Sequence, residues 1–373
     1  MSPAAAPERR ASNTVLLALR ARLPGAAVRS PGASRRRSGL WFAAAGLFLL
    51  AAVVSGTFVG PVGLGVGAIL RDVASHVPFL GVRSHLTPPE SAILWQLRAP
   101  RVVLACLVGA MLSSAGATYQ GVFRNPLADP YLLGVAAGAG FGATLAIVYG
   151  GGTALGSDLL ALAAFAGGAV AVALTYAIGR SAGAGRSAAA FVLAGVTVTS
   201  FFTALQTFVQ QQHAQSLQAV YSWILGQLDT GGWHDVLVLL PYAAVSAVVL
   251  LLHRRLLDVL SLGDDEAASL GVSVGRVRLV LVVAATLGTA AAVAVSGLIG
   301  FLGVIVPHTV RLLAGGSYRL VLPLSILVGA GFLVFADLIA RTVLSPQELP
   351  IGVVTAFFGA PFFAIVLRTS RLT

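Results

Sequence analysis

An uninterrupted apolar stretch near the start of the chain, LWFAAAGLFLLAAVVSGTFVG at residues 40–60, decides the fold. It is 21 residues long and contains no charged side chain. An α-helix of about 20 apolar residues is long enough to cross the hydrocarbon core of a bilayer. The apolar part of a cleaved secretion signal is shorter, about 7–15 residues. We therefore predict that residues 40–60 form a membrane-spanning helix that remains in the protein.

The composition extends this prediction to the whole chain. The 373 residues are 57% hydrophobic and only 10% charged, whereas a soluble domain has about 25% charged residues. So few charges cannot cover a water-facing surface, which excludes a soluble globular protein. We predict an all-α polytopic membrane protein with about ten transmembrane helices, at 40–60, 100–122, 131–150, 158–179, 188–210, 235–252, 277–296, 298–314, 320–343 and 350–367. A re-entrant segment is an alternative where the seventh and eighth runs merge, at 296–300.

The basic residues predict the orientation of these helices. All 24 are arginines, and with ten spans 19 of them fall on the side of the N-terminus and five on the other side. The positive-inside rule then places both termini in the cytoplasm. Eight of the 19 lie in residues 1–39, which are also rich in Ala, Ser and Pro. We predict a disordered basic cytoplasmic tail there, followed by a membrane domain at 40–373.

The residue types that are missing or scarce exclude several functions. Because the chain contains no lysine, it cannot form a Walker A phosphate loop, and an ATP-driven step requires another chain. The arginines follow the membrane topology, so they give no reason to predict binding to nucleic acid. The single cysteine, Cys106, lies in an apolar run, and the six histidines show no metal-ligand spacing. The sequence predicts no metal site, no cofactor and no enzymatic activity.

The fifth predicted span carries an unusual stripe of polar residues. Four of them recur at i, i+4, i+7 and i+11, which is one face of a helix: Thr199, Thr203, Gln206 and Gln210. Polar side chains in a membrane helix face protein or water rather than lipid. Either they form hydrogen bonds between helices, or they line an aqueous translocation path. The second interpretation is favoured.

Two ionisable residues lie within the ninth predicted span. Asp337 and Arg341 are four residues apart, so they share a helix face and can form an ion pair. An intramembrane acid could carry protons, which would indicate secondary transport. The alternative is a structural pair that braces the outer end of the helix. We favour this alternative, because an acid beside a permanently charged arginine stays ionised and carries protons poorly.

The cytoplasmic loop after the sixth span predicts a short capped helix. Three acids suit the start of a helix, and a glycine ends it. Such a helix can dock in a groove of a partner protein, or it can be a simple loop helix. The residues of this candidate coupling segment are Asp264, Asp265, Glu266, Ala267, Leu270 and Gly271.

Five segments, taken together, closely resemble the FecCD-type permeases, the membrane subunits of bacterial ABC importers for ferric siderophores, haem and cobalamin. The resemblance covers roughly residues 40–370, and its long motifs occur in the family's order. The segments are WQLRAPRVVLACLVGAMLSSAGATYQGVFRNPLADPYLLGVAAGAGFGA (95–143), GDDEAASLGV (263–272), SGLIGFLGVIVPHTVRLLAG (296–315), ADLIAR (336–341) and ELPIGVVTAFFGAPFF (348–363).

The resemblance implies a multi-pass subunit in the bacterial cytoplasmic (inner) membrane that pairs with a second copy or a close paralogue. It implies a path along the dimer interface, with the fifth helix among its walls. Two copies of a separate ATPase subunit would contact the loop after the sixth span. An extracytoplasmic substrate-binding protein would present carboxylates to Arg98, Arg101 and Arg341, which match the family's docking arginines.

Cargo and energy source remain open at this point. A ferric siderophore is the expected cargo, and cobalamin and haem are alternatives within the same family. A proton-coupled transporter that uses Asp337 is a more distant alternative.

Overall fold

The computed structural model of the chain describes residues 31–76, 79, 83–150, 156–181, 188–228 and 231–370. The chain divides into two units, Met1–Trp41 and Phe42–Thr373. In the first unit, the described residues form the beginning of a helix that starts at Pro31. The predicted disordered tail covers residues 1–39, of which 31–39 belong to this helix and 1–30 lie outside the described residues. The second unit contains everything that follows.

Helices form nearly all of the regular structure, and the described residues contain no β-strand. The part of the chain that the structure describes contains fourteen α-helices: α1 (Pro31–Phe58), α2 (Val66–Ser75), α3 (Pro88–Ala92), α4 (Ala99–Val122), α5 (Val135–Tyr149), α6 (Gly156–Ser181), α7 (Ala188–Gln212), α8 (Leu217–Ile224), α9 (Trp233–Leu260), α10 (Asp264–Ser269), α11 (Val274–Ser296), α12 (Leu302–Ala314), α13 (Tyr318–Thr342) and α14 (Ile351–Ser370). A π-helical turn, Ile93–Arg98, joins α3 to α4.

The predicted fold class is confirmed. Among the described residues, seven helices are long and apolar enough to cross a membrane, namely α1, α4, α6, α7, α9, α11 and α13, with α4 extended back to Pro88. The remaining three predicted spans coincide with shorter apolar helices, α5, α12 and α14. The chain is therefore an all-α polytopic membrane protein.

Helix α4 lies at the centre of the bundle. Most of its residues are buried, and it packs against α9, α11, α12 and α13. Two glycines allow backbones to approach closely. A β-carbon at Gly109 would lie 2.3 Å from the carbonyl oxygen of Gly329, and one at Gly116 would lie 2.0 Å from that of Gly303. In lipid, helices associate through such close packing because the hydrophobic effect does not drive them together.

The junction between α11 and α12 is irregular, as the merged apolar runs indicated. Helix α12 has 13 residues, which gives about 20 Å of helix against a hydrocarbon core of about 30 Å. The preceding segment is tied down by hydrogen bonds to its backbone. The Tyr131 hydroxyl donates to the Ile299 carbonyl at 3.0 Å and accepts from the Ile299 amide at 3.0 Å. Irregular backbone at membrane depth is stable only when protein satisfies it in this way.

Candidate functional site

A cluster of charged side chains lies at the end of the bundle that is predicted to face outward. Arg101, near the start of α4, contacts two carboxylates from distant parts of the sequence. Its Nη2 lies 2.9 Å from Asp337 Oδ1 on α13. The same guanidinium binds Glu348, which precedes α14, through both oxygens, at 3.2 Å and 2.8 Å. Such two-point pairing fixes geometry more strongly than a single contact. Arg101 therefore joins α4, α13 and the start of α14.

The ion pair between Asp337 and Arg341 lies within this cluster. Arg341 Nε is 3.3 Å from Asp337 Oδ2, and a second nitrogen donates to the Gly56 carbonyl of α1. Asp337 is 1% exposed and Arg341 is 2% exposed. Arg101 and Arg341 each lie within salt-bridge distance of the Asp337 carboxylate, one at each of its two oxygens. This geometry favours the brace over the proton carrier.

Arg98 is satisfied by backbone rather than by an acid. It is 5% exposed and lies in the π-helical turn before α4. Its guanidinium donates to the carbonyls of Thr57 and Phe58, each at 3.4 Å, and to that of Val62. These contacts tie the end of α1 and the segment after it to the beginning of α4.

The three predicted docking arginines therefore lie together, but with little exposure. They border a cavity of about 680 Å³ that is also lined by Gln96 and Glu348. Counting Asp337, three arginines face two carboxylates, so the cluster has a net positive charge. The groups nearest to solvent are Arg101, at 14% exposure, and Glu348, at 36%. Docking stays a prediction, and it depends mainly on these two side chains.

The predicted polar stripe on α7 is only partly accessible. Thr199, Gln206 and Gln210 are half-buried, and Thr203 is exposed. Gln206 leans on α5, where a β-carbon at Gly140 would lie 3.0 Å from its Oε1. Most of the stripe therefore faces the seam between α5 and α7.

A neighbouring face of α7 is the exposed one. It carries five polar side chains at spacings of three and four residues, namely Thr197, Ser200, Thr203, Thr207 and Gln211. Several of the hydroxyls donate to carbonyls four residues earlier, for example Ser200 to Val196 at 2.9 Å and Thr207 to Thr203 at 2.9 Å. The sequence shows these residues as polar, but it does not show which phase of the helix packs against α5.

The loop that is predicted to be cytoplasmic forms the expected short helix, α10. Asp264 at its start is held by two arginines, at 3.3 Å from Arg124 after α4 and at 2.9 Å from Arg278 on α11. Gly263 immediately before it has a φ of 139°, which a side chain would disfavour. Gly271 follows the helix with a φ of 80°, in agreement with its predicted role as a stop.

The remaining residues of this segment divide into a buried set and an exposed set. Ala267 is fully buried, whereas Leu270 is 63% exposed. Asp265 and Glu266 are exposed beside it. The sequence analysis missed Leu262, which is also exposed. The cytoplasmic surface therefore combines free acids with exposed leucines, whereas Asp264 holds the helix in place.

The fold defines a polytopic all-α membrane protein with clustered charged side chains at both ends of its bundle. Residues 46–369 match the FecCD transport family. The chain belongs to this family, and it is an ABC transporter permease rather than an enzyme.

Individual relatives agree with this assignment. The cobalamin import system permease protein BtuC of Halobacterium salinarum is 37% identical, over 88% of this chain and 95% of that protein. The iron(3+)-hydroxamate import system permease protein FhuB of Bacillus subtilis is 36% identical, over 77% of this chain and 74% of that protein. A solved structure described as a metal-chelate type ABC transporter in an inward-facing conformation superimposes with a TM-score of 0.77 at 29% identity, covering 89% of this chain and 99% of that one.

Proposed function

We propose that this chain is the membrane-spanning subunit of an ATP-driven importer that carries an iron chelate, specifically a ferric siderophore, across the bacterial cytoplasmic membrane. Two copies form the translocation unit, two ATPase subunits bind on the cytoplasmic side, and an extracytoplasmic binding protein delivers the chelate. The observation that carries this proposal is the exposed polar face of α7.

This face needs a cover that is not lipid. Five polar side chains along one exposed face of a membrane helix are unfavourable in contact with hydrocarbon. A second copy of the chain, or a close paralogue, would enclose them and leave a polar passage between the two α7 helices. The hydroxyls that already donate within the helix offer few free donors to a passing solute. Such walls suit passage of a bulky chelate without tight binding, and selectivity then lies with the binding protein.

The cytoplasmic surface suits a partner that supplies ATP hydrolysis. The exposed leucines Leu262 and Leu270 would bury apolar area against a groove of the ATPase subunit, and Asp265 with Glu266 would set the orientation through charge. Because Asp264 ties α10 to α4 and α11 through two arginines, a displacement of α10 would move these two helices. This is the proposed route from hydrolysis to the path.

Docking on the outer side would involve an exchange of carboxylates at Arg101. Glu348 occupies both terminal nitrogens of this guanidinium, while Asp337 holds the inner side. A carboxylate of the binding protein would take the position of Glu348, and Arg101 would never be left without a partner. Charge pairs of this kind control orientation and the association rate.

Glu348→Gln is accordingly expected to strengthen capture of the loaded binding protein, because it removes the competing charge while Asp337 still holds Arg101. We expect an affinity gain on the order of tenfold at low salt, equivalent to about 1.4 kcal/mol, and a smaller gain at high salt. Binding to the permease complex in nanodiscs measures it. Glu90→Gln is the control, since Glu90 is a half-buried glutamate whose hydrogen bonds go to the nearby Thr87. Unchanged or weaker capture by Glu348→Gln would contradict the exchange.

The cargo is tested by uptake in a deletion strain that carries this gene with its ATPase and binding protein. Labelled ferric siderophore and labelled cobalamin are offered side by side, with an active or an inactive ATPase. We expect the iron label to enter only with the active ATPase. Cobalamin is the second candidate, because the BtuC relative carries it by name, and haem is the third.

Each outcome separates the alternatives. Entry of cobalamin alone changes the cargo but preserves the importer. If neither label enters the cells, haem is the next cargo to be tested. Entry that ignores the ATPase and follows the proton gradient refutes the importer and supports the proton-coupled alternative.

A further inference from the structure

An apolar groove runs between α6 and α11, apart from the polar face of α7. Its volume is about 400 Å³. On α6 it is lined by residues from Phe165 to Tyr176, and on α11 by residues from Leu279 to Ala290. Ala173 and Val283 lie in the groove and are exposed, so it is open to the surroundings of the bundle. In a membrane helix pair, such an opening faces lipid.

Thr286 is a polar residue in the back wall of the groove, but its hydroxyl already has a hydrogen-bond partner. The Thr286 hydroxyl is bonded to the Tyr119 hydroxyl of α4, at 2.6 Å. Its hydrogen-bonding capacity is therefore directed into the bundle, away from the groove. The groove thus suits a hydrocarbon chain rather than a polar solute.

Two arginines stand at the cytoplasmic end of the groove. Arg180 follows Tyr176 by four residues on α6, and Arg276 precedes Leu279 by three residues on α11, so both continue the groove-lining faces. Both are exposed. In the described part of the chain, neither forms an ion pair. Asp264, the first acid of the adjacent α10, is already held by Arg124 and Arg278.

The length of the groove corresponds to one leaflet. Residues 165–176 span about 16 Å of helix at 1.5 Å per residue. Half of a hydrocarbon core of about 30 Å is about 15 Å. An acyl chain whose headgroup lies at the level of the two arginines would therefore fill the groove to about the middle of the bilayer.

We propose that this groove binds an anionic phospholipid of the inner leaflet, with one acyl chain between α6 and α11 and its phosphate held by Arg180 and Arg276. Guanidinium groups bind phosphate through paired hydrogen bonds, and their charge favours lipids with a net negative headgroup. A zwitterionic lipid offers the same acyl chain, but its own cation opposes the two arginines.

The test uses the full purified chain, exchanged into bilayers with equal amounts of phosphatidylglycerol and phosphatidylcholine, and native mass spectrometry of the lipids that stay bound. We expect phosphatidylglycerol to be retained in excess on the order of tenfold. The double variant Arg180→Gln with Arg276→Gln is expected to lose this excess. The control is Arg254→Gln with Arg255→Gln, which removes two arginines from the cytoplasmic end of α9 and should leave the excess intact.

A second variant tests the groove without touching the charges. Ala173→Phe places a large ring in the opening and is expected to reduce retention of phosphatidylglycerol, while the unfolding temperature stays unchanged because Ala173 is exposed. Equal retention of both lipids by the original chain would overturn the proposal. So would equal losses in the arginine pair and its control, since the charge effect would then be spread over the surface. Unchanged retention in Ala173→Phe would also overturn it.

Discussion

Asp337→Ala is expected to destabilise the folded chain by about 3–5 kcal/mol, the usual cost of removing one partner from a buried ion pair. Asp337 is the carboxylate that Arg101 and Arg341 share, and the latter is almost fully buried. Without it, the Gly56 carbonyl is the one hydrogen-bond partner that Arg341 keeps among the described residues. Thermal unfolding of the detergent-purified chain measures the loss.

The control for this prediction is Asp158→Ala. Asp158 pairs with His234 at 2.9 Å, but both side chains are more than half exposed, and such surface pairs contribute about 0–1 kcal/mol. Equal destabilisation by the two variants would contradict the brace. The double variant Asp337→Leu with Arg341→Met should recover part of the stability, because Arg101 still has Glu348. Proton-driven uptake that disappears in a folded Asp337→Asn variant would instead support the carrier alternative.

Asp265→Arg combined with Glu266→Arg is expected to uncouple the ATPase from the permease. Both side chains are exposed on α10, so the reversal should leave the fold intact and lower the unfolding temperature only slightly, through the unfavourable position of cations at the start of a helix. It replaces two acids by two cations at the proposed contact, and like charges across an interface cost several kcal/mol. Chelate-stimulated ATP hydrolysis by the reconstituted complex should therefore fall by at least about tenfold.

The control for uncoupling is Asp158→Arg, which reverses an exposed acid on the outer side of the membrane. It should leave stimulated hydrolysis intact. Undiminished hydrolysis in the Asp265 and Glu266 variant would refute the coupling role of α10. It would leave the family assignment untouched, since that depends on the whole sequence from 46 to 369.

The sequence predicts the helices well because membrane spans depend on length and composition alone. It also predicts local pairs, since Asp337 and Arg341 are one helical turn apart. It does not reveal that Arg101 binds Glu348, 247 residues later in the chain. That contact depends on how α4 packs beside α13 and on where the segment before α14 lies, which no periodicity encodes.

The polar residues of α7 show a second limit. The spacing of Thr199, Thr203, Gln206 and Gln210 is that of one helix face, and the structure places most of that face against α5. The exposed face, which includes Thr197 and Ser200, is rotated about a quarter of a turn around the helix axis from the predicted stripe. A polar side chain that packs against a neighbouring helix cannot be distinguished in sequence from one that is exposed on the surface of the bundle.

The short helices were predicted as full spans for a similar reason. An apolar window around α12 includes the irregular segment before it, and hydropathy does not distinguish helix from ordered loop. Only the hydrogen bonds between Tyr131 and Ile299 show how that segment is satisfied at membrane depth.

Helix α4 connects the two charged ends of the molecule. Arg101 lies near its outer end, and Arg124 follows its inner end, about 35 Å away at 1.5 Å per residue. In the proposed importer, α4 would therefore link the docking site of the binding protein to the contact site of the ATPase. Thermodynamic linkage makes such a coupling reciprocal. If binding of the ATPase changes the affinity for the binding protein through α4, docking of the binding protein must change the affinity for the ATPase by the same free energy.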